Sequence, residues 1–139
     1  GRAVKETAQF TKGMDRMAVE DYKGAVAIFD ELAKEGSNDK YGLAMLRKAQ
    51  ALKSLGDKDG ALAAYRELAQ HDDSANAPFA GIARILAADQ SGELIEPQKG
   101  NPYYHAQQEW KAWQLVDMGK NEDAVKVFVA LQDDTDTPP

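Results

Sequence analysis

One eight-residue pattern recurs three times and constrains this chain more than any other feature. Ala25, Phe29 and Leu32 have the same spacing as Ala61, Tyr65 and Leu68, and as Ala124, Phe128 and Leu131. An alanine followed four residues later by an aromatic and seven later by leucine places all three on one helical face. The small residue lets two helix backbones approach, the aromatic wedges into a neighbour, and the leucine closes the apolar stripe. Each copy follows a tight turn, at Glu20-Asp21, Gly56-Asp57 and Gly119-Lys120. The first two copies lie 36 residues apart and the last two 63 apart, close to two further units with the middle one degenerate.

Helix–turn–helix units repeating every 34 or so residues stack into tetratricopeptide-type arrays. The rest of the chain agrees, being rich in alanine and poor in β-branched residues, with no long period-two segment. The periodicity predicts helices over 2–19, 22–34, 39–55 and 58–70, with Gly36, Ser37 and Asn38 closing the second and opening the third. Ser74 or Asn76 caps a fifth helix ending near residue 88, apolar on most sides and therefore central. A short sixth helix is expected at Leu94 and Ile95. A long seventh starts with Asn101 as cap and Pro102 in its first turn, and the last covers 121–131. The predicted fold is all-α: a tetratricopeptide-like right-handed superhelix of antiparallel helix pairs, about seven to eight helices, over 1–132. Residues 133–139 read as an acidic flexible tail. An irregular helical bundle is the competing architecture.

Composition narrows the chemistry. The chain has no cysteine, which removes disulfides, thiolate metal sites and cysteine nucleophiles. Its two histidines, His71 and His105, are far apart in sequence, and 23 acidic against 17 basic residues leave a net charge of −6. That balance disfavours nucleic acid and anionic lipid as partners. Asp30-Glu31, Asp72-Asp73 and Asp133-Asp134 are adjacent pairs, whereas acid–base catalysis needs carboxylates converging on one pocket. Asp57-Lys58-Asp59-Gly60 has the start of a calcium loop without its downstream glutamate. Phosphate loops, serine nucleophile motifs and dinucleotide fingerprints are absent. These observations predict a non-catalytic chain with no cofactor and no metal.

The run Ala44 to Leu52, then Gly56-Asp57, Gly60-Ala61 and Tyr65-Arg66-Glu67-Leu68-Ala69, resembles the tetratricopeptide-like domain of YfgM-type ancillary translocon proteins, closest to their alphaproteobacterial branch. Asn101-Pro102-Tyr103, Glu109, Ala112, Gly119, Ala124 and Phe128 to Leu131 are similar to the later part of that domain. Phe29 to Ala33 with Gly36 is similar to its first complete unit. The resemblance implies a single-pass inner-membrane protein whose domain lies in the periplasm. There it would associate with the Sec translocon, periplasmic chaperones and exported clients. It implies no catalytic residue. It also implies a membrane helix upstream of Gly1, so that membrane attachment would come only through an anchor outside this sequence.

Candidate binding residues follow from where such arrays expose the first helix of each pair. Arg47, Lys48 and Gln50 are the polar positions of the third helix, and Gln107, Gln108 and Lys111 those of the long seventh. Arg84 is a cation on an otherwise apolar helix, suited either to a carboxylate partner or to a ligand. Tyr103, Tyr104, Trp110 and Trp113 form an aromatic patch, with at least one tryptophan expected in the core and Tyr104 or Trp113 available to a groove. The sites proposed for protein binding are Arg47, Lys48, Arg84, Tyr104, Gln108, Lys111 and Trp113. The expected function is a protein–protein interaction scaffold assisting export and envelope protein folding. The alternative is a self-associating structural module of another envelope or cytoplasmic complex, forming homo-oligomers through its last helix pair.

Overall fold

A computed structural model describes residues 1–34, 38–71, 73 and 75–133. Gly36, Ser37, Asp72, Ser74 and residues 134–139 of the tail expected over 133–139 lie outside them, while Asp133 ends the last helix. The described residues form seven helices: α1 (Arg2–Ala18), α2 (Tyr22–Lys34), α3 (Asn38–Ser54), α4 (Lys58–Ala69), α5 (Ala77–Ser91), α6 (Tyr104–Asp117) and α7 (Asn121–Asp133). Consecutive helices pack antiparallel from α1 to α5, and α6 does so with α7. Along one side α1 touches α3, α3 touches α5 and α5 touches α6, so these four make one layer, with α2, α4 and α7 in the other. This is an all-α, tetratricopeptide-like helical-repeat fold.

The repeat extends to individual hydrogen bonds. In each turn one residue has left-handed backbone: Glu20 (φ 62°), Gly56 (φ 84°) and Gly119 (φ 77°). The next N–H in each case reaches back five residues, Asp21 to the Arg16 carbonyl (2.8 Å), Asp57 to Leu52 (2.9 Å) and Lys120 to Leu115 (2.8 Å). These are Schellman closures, which satisfy the last carbonyls of one helix and set the entry angle of the next. Asp21 and Asp57 then cap α2 and α4 by accepting from the N–H groups of Gly24 (3.0 Å) and Gly60 (2.9 Å). Glutamate at the left-handed position of the first turn is strained relative to glycine. Glu20→Gly should therefore raise stability by ~0.5–1 kcal/mol, read from the urea midpoint. Gly56→Ala should do the opposite.

The aromatics of the first two repeats sit where the pattern predicts. Phe29 and Leu32 are fully buried among Ala25, Ala44 and Ala51, with Phe10, Met14 and Met17 of α1 against them. Tyr65 and Leu68 occupy the next layer with Met45, Ala49 and Ala83. Alanines at these contacts permit the short interaxial distance, as the repeat anticipates. Among the described residues no helix is long and apolar enough to cross a membrane.

The expected short helix at Leu94 and Ile95 is absent. Gly92 closes α5 with left-handed backbone (φ 75°), and residues 93–98 run without helical structure. Only four residues separate Gly92 from Pro97, too few to nucleate a helix, and the proline disfavours helical backbone at Glu96. Ile95 is nevertheless buried while Leu94 faces out. The seventh predicted helix also starts later than expected. Asn101 does not cap it; its Oδ1 accepts from the Tyr103 N–H (2.8 Å) in a tight turn, and α6 begins at Tyr104.

The extended run takes the place of the second helix of the third pair. Its groups descend along α6: the Ile95 N–H donates to Gln114 Oε1 (2.9 Å) and Gln114 Nε2 to the Glu93 carbonyl (2.9 Å). Further along, the Gln98 N–H donates to Gln107 Oε1 (2.8 Å), and Gln107 Nε2 to the Gly81 carbonyl of α5 (3.1 Å). At the far end Asn101 Nδ2 donates to the Ala77 carbonyl (2.9 Å). The 12 residues of α4 cover roughly 18 Å, a distance about six extended residues also cover. The substitution thus explains why the interval from Ala61 to Ala124 falls short of two full units.

Candidate functional site

The degenerate third pair leaves α5 and α6 side by side, running in the same direction. Ile82, Ile85 and Leu86 of α5 lie at helical spacing on one face. Opposite them stand Tyr103, Ala106 and Trp110, lining a hollow of about 490 Å³. Toward the other end Ala88, Asp89 and Gly92 oppose Gln114, Asp117 and Met118 around a second hollow of about 540 Å³. Trp110 and Trp113 line both, so the two hollows form one trough with the tryptophans at its middle.

The trough floor is apolar and open. Trp113 is 56% exposed, Met118 45% and Tyr103 37%. Trp113 is held edge-on against Phe128 of α7, with ring centroids 5.2 Å apart. That contact fixes the indole from behind while leaving the rest of its surface to the trough. The charged lining residues are Glu109 at the first hollow and Asp89 and Asp117 at the second, all exposed.

The remaining candidates are placed elsewhere. Tyr104 and Gln108 bond to one another, Gln108 Nε2 donating to the Tyr104 hydroxyl (2.8 Å), and they line a small hollow with Ala130, Leu131 and Asp133 on the α7 side of α6. Lys111 is half-buried on α6 and lines neither half of the trough. Gln107 is fully buried and structural, as described above. Arg84 finds no buried carboxylate; its Nη1 donates to the Glu96 carbonyl at 3.3 Å. With Arg66 it lines a separate hollow between α4, α5 and the extended run, where Arg66 also meets Glu93 at 3.3 Å. His71 lies tilted against Tyr41, and His105 meets Tyr104 edge-on. Among the described residues no group of three acidic or histidine side chains could hold a metal ion.

On α3, Arg47 Nη1 donates along the helix to Gln50 Oε1 (2.8 Å). Lys48 points instead to α2, its Nζ 2.7 Å from Asp30 Oδ1. That hydrogen bond is the main cause that holds the Asp30 carboxyl below its ordinary value; partial burial opposes it, and Lys34 at 3.2 Å adds to it. An acid with a lowered folded pKa contributes stability that is present above its unfolded pKa and lost as pH falls through the folded one. Lys48→Met should therefore flatten the loss of stability as pH falls through and below the ordinary carboxylate range, measured as urea midpoints. Parallel curves for the two proteins would show that the pair contributes nothing.

Sequence reasoning named Trp113 but did not link it to α5. The signal was available in the i, i+3, i+4, i+7 run of Ile82, Ile85, Leu86 and Asp89, which shares a face parallel to the aromatic stripe of α6. No protein-family model matches the chain, and neither a curated protein nor a solved structure matches it.

Proposed function

We propose that this chain is a protein-binding scaffold and that its partner occupies the α5–α6 trough. The observation that carries the reading is a continuous apolar surface left open between two parallel helices, with a tryptophan more than half exposed at its centre. Aromatic anchors in preorganised grooves are where binding energy concentrates. The resemblance to YfgM-type proteins supports the more specific role of a periplasmic domain, anchored in the inner membrane, that assists Sec-dependent export and envelope protein folding. A photo-crosslinking side chain at position 113 of the anchored protein should trap translocon subunits, chaperones or exported clients. The same group at Ala63, exposed on α4, should not. Equal adducts from both positions would overturn the trough as the binding face, and adducts lacking any export component would overturn the envelope role.

Self-association is the second reading, and α7 favours it. Phe29, Leu32, Tyr65 and Leu68 are buried by the following helix, whereas the equivalent Phe128 and Leu131 are only half-buried, and Val125 and Val129 are 57% and 47% exposed. A concentration-dependent mass in solution, abolished by Val125→Lys with Val129→Glu, would establish it.

A further inference from the structure

We infer that the segment held in the trough is cationic: bulky apolar side chains flanked by lysine or arginine. The inference rests on the reading of the trough as the partner site and specifies its occupant. The charged residues bordering the apolar floor of Ile82, Ile85, Trp110 and Trp113 are all carboxylates, Glu109 toward one end and Asp89 and Asp117 toward the other. Among the described residues lining either half there is no lysine, arginine or histidine. The chain as a whole carries −6, so its long-range field favours the approach of the same ligand.

Each element selects for one property. The floor removes apolar side chains from water without regard to charge. The carboxylates add attraction to flanking cations and repulsion toward acidic segments, which discriminates between ligands of equal hydrophobicity. The exposed Trp113 face offers a further cation–π surface to a lysine or arginine laid across it. From Tyr103 to Asp117 the trough runs roughly 21 Å along α6, so carboxylates stand beside both hollows and the occupant needs cations near both of its apolar anchors.

Both tryptophans of the chain line the trough, so intrinsic fluorescence reads its occupancy directly. The experiment titrates the intact chain with two synthetic peptides of identical apolar residues, one flanked by lysines and one by glutamates. The lysine peptide should saturate a blue shift with at least about tenfold higher affinity at low salt, and the difference should shrink at high ionic strength. The triple variant Asp89→Lys, Glu109→Lys, Asp117→Lys alters only exposed positions. It should bind the lysine peptide about tenfold more weakly and the glutamate peptide more tightly, with an unchanged far-UV spectrum and urea midpoint. Equal affinity for both peptides, or a triple variant with unaltered preference, would overturn the inference and leave the trough reading standing. Failure of both peptides to change tryptophan emission, or binding unaffected by Trp113→Ala, would overturn the trough reading as well.

Discussion

Replacing Gln107 by leucine should lower the free energy of unfolding by about 2–4 kcal/mol, a large loss for a change that preserves bulk and burial. The amide is fully buried and ties three elements, accepting from the Gln98 N–H and donating to the Gly81 carbonyl while rooted in α6. Leucine strands the Gln98 N–H without its acceptor and removes the buried side-chain link that joins the extended run to α5 through α6. A buried donor left unmade costs more than the hydrogen bond itself contributed. Gln107→Glu separates the two roles: a carboxylate can still accept from Gln98 but cannot donate to Gly81, and it buries a charge. That variant should be the less stable one at pH 7 and recover as acid neutralises it. Urea unfolding followed by far-UV circular dichroism at pH 7 and pH 5 tests both. A loss below about 0.5 kcal/mol for leucine would mean that other contacts place the extended run.

Phe29→Ala should cost about 3–5 kcal/mol. The ring is fully buried, tilted against Phe10 at 5.6 Å, and meets Gly13 of α1 so closely that a Cβ there would lie 2.6 Å from two ring carbons. The same contact predicts an unusual glycine. Gly13→Ala in a helix interior ordinarily gains about 1 kcal/mol, but here the methyl displaces an immobile ring and should cost about 1–2 kcal/mol net. A smaller partner ought to accommodate it. Gly13→Ala combined with Phe29→Leu should therefore lose less than the two single changes together, measured as a double-mutant cycle. Strict additivity would show that α1 does not lock onto α2 through this contact.

Much of the architecture was legible because the repeat writes the same packing into three places. Alanine, aromatic and leucine at fixed spacing predict which face is covered, and the turns at Glu20, Gly56 and Gly119 close with the same bonds. The third pair was less legible for a physical reason. Gln107, Gln114 and Asn101 look like ordinary polar positions, because whether an amide faces water or a buried backbone depends on which distant segment crosses it. The available sign was indirect: a run punctuated by Gly92, Pro97 and Gly100 cannot satisfy its own backbone as a helix, so wherever it is buried side chains elsewhere must do so. The candidate site divides in the same way. Positions 103, 106, 110, 113 and 117 advance along one face of α6, and Trp113 belongs there. Tyr104 and Gln108 are turned by one helical step toward α7, and Arg84 lies over the gap left by the absent helix.

Stacked helix pairs usually unfold in a nearest-neighbour manner, each unit stabilised by the next through a broad helical interface. The extended run interrupts that arrangement. It has no helical bonds of its own, and the buried bond from α6 to α5, Gln107 to the Gly81 carbonyl, is made by an amide that holds the strand at the same time. α5 packs on α4 and α6 on α7, but the two walls meet each other only slightly except through that strand, so the strand and the C-terminal pair should order in a single step. In hydrogen-exchange terms, the backbone amides of α6 and α7 would open together, at one shared free energy lower than that of α2 and α3. Such a pattern would make the joint between the third and fourth units the boundary between two cooperative blocks, with the trough straddling it.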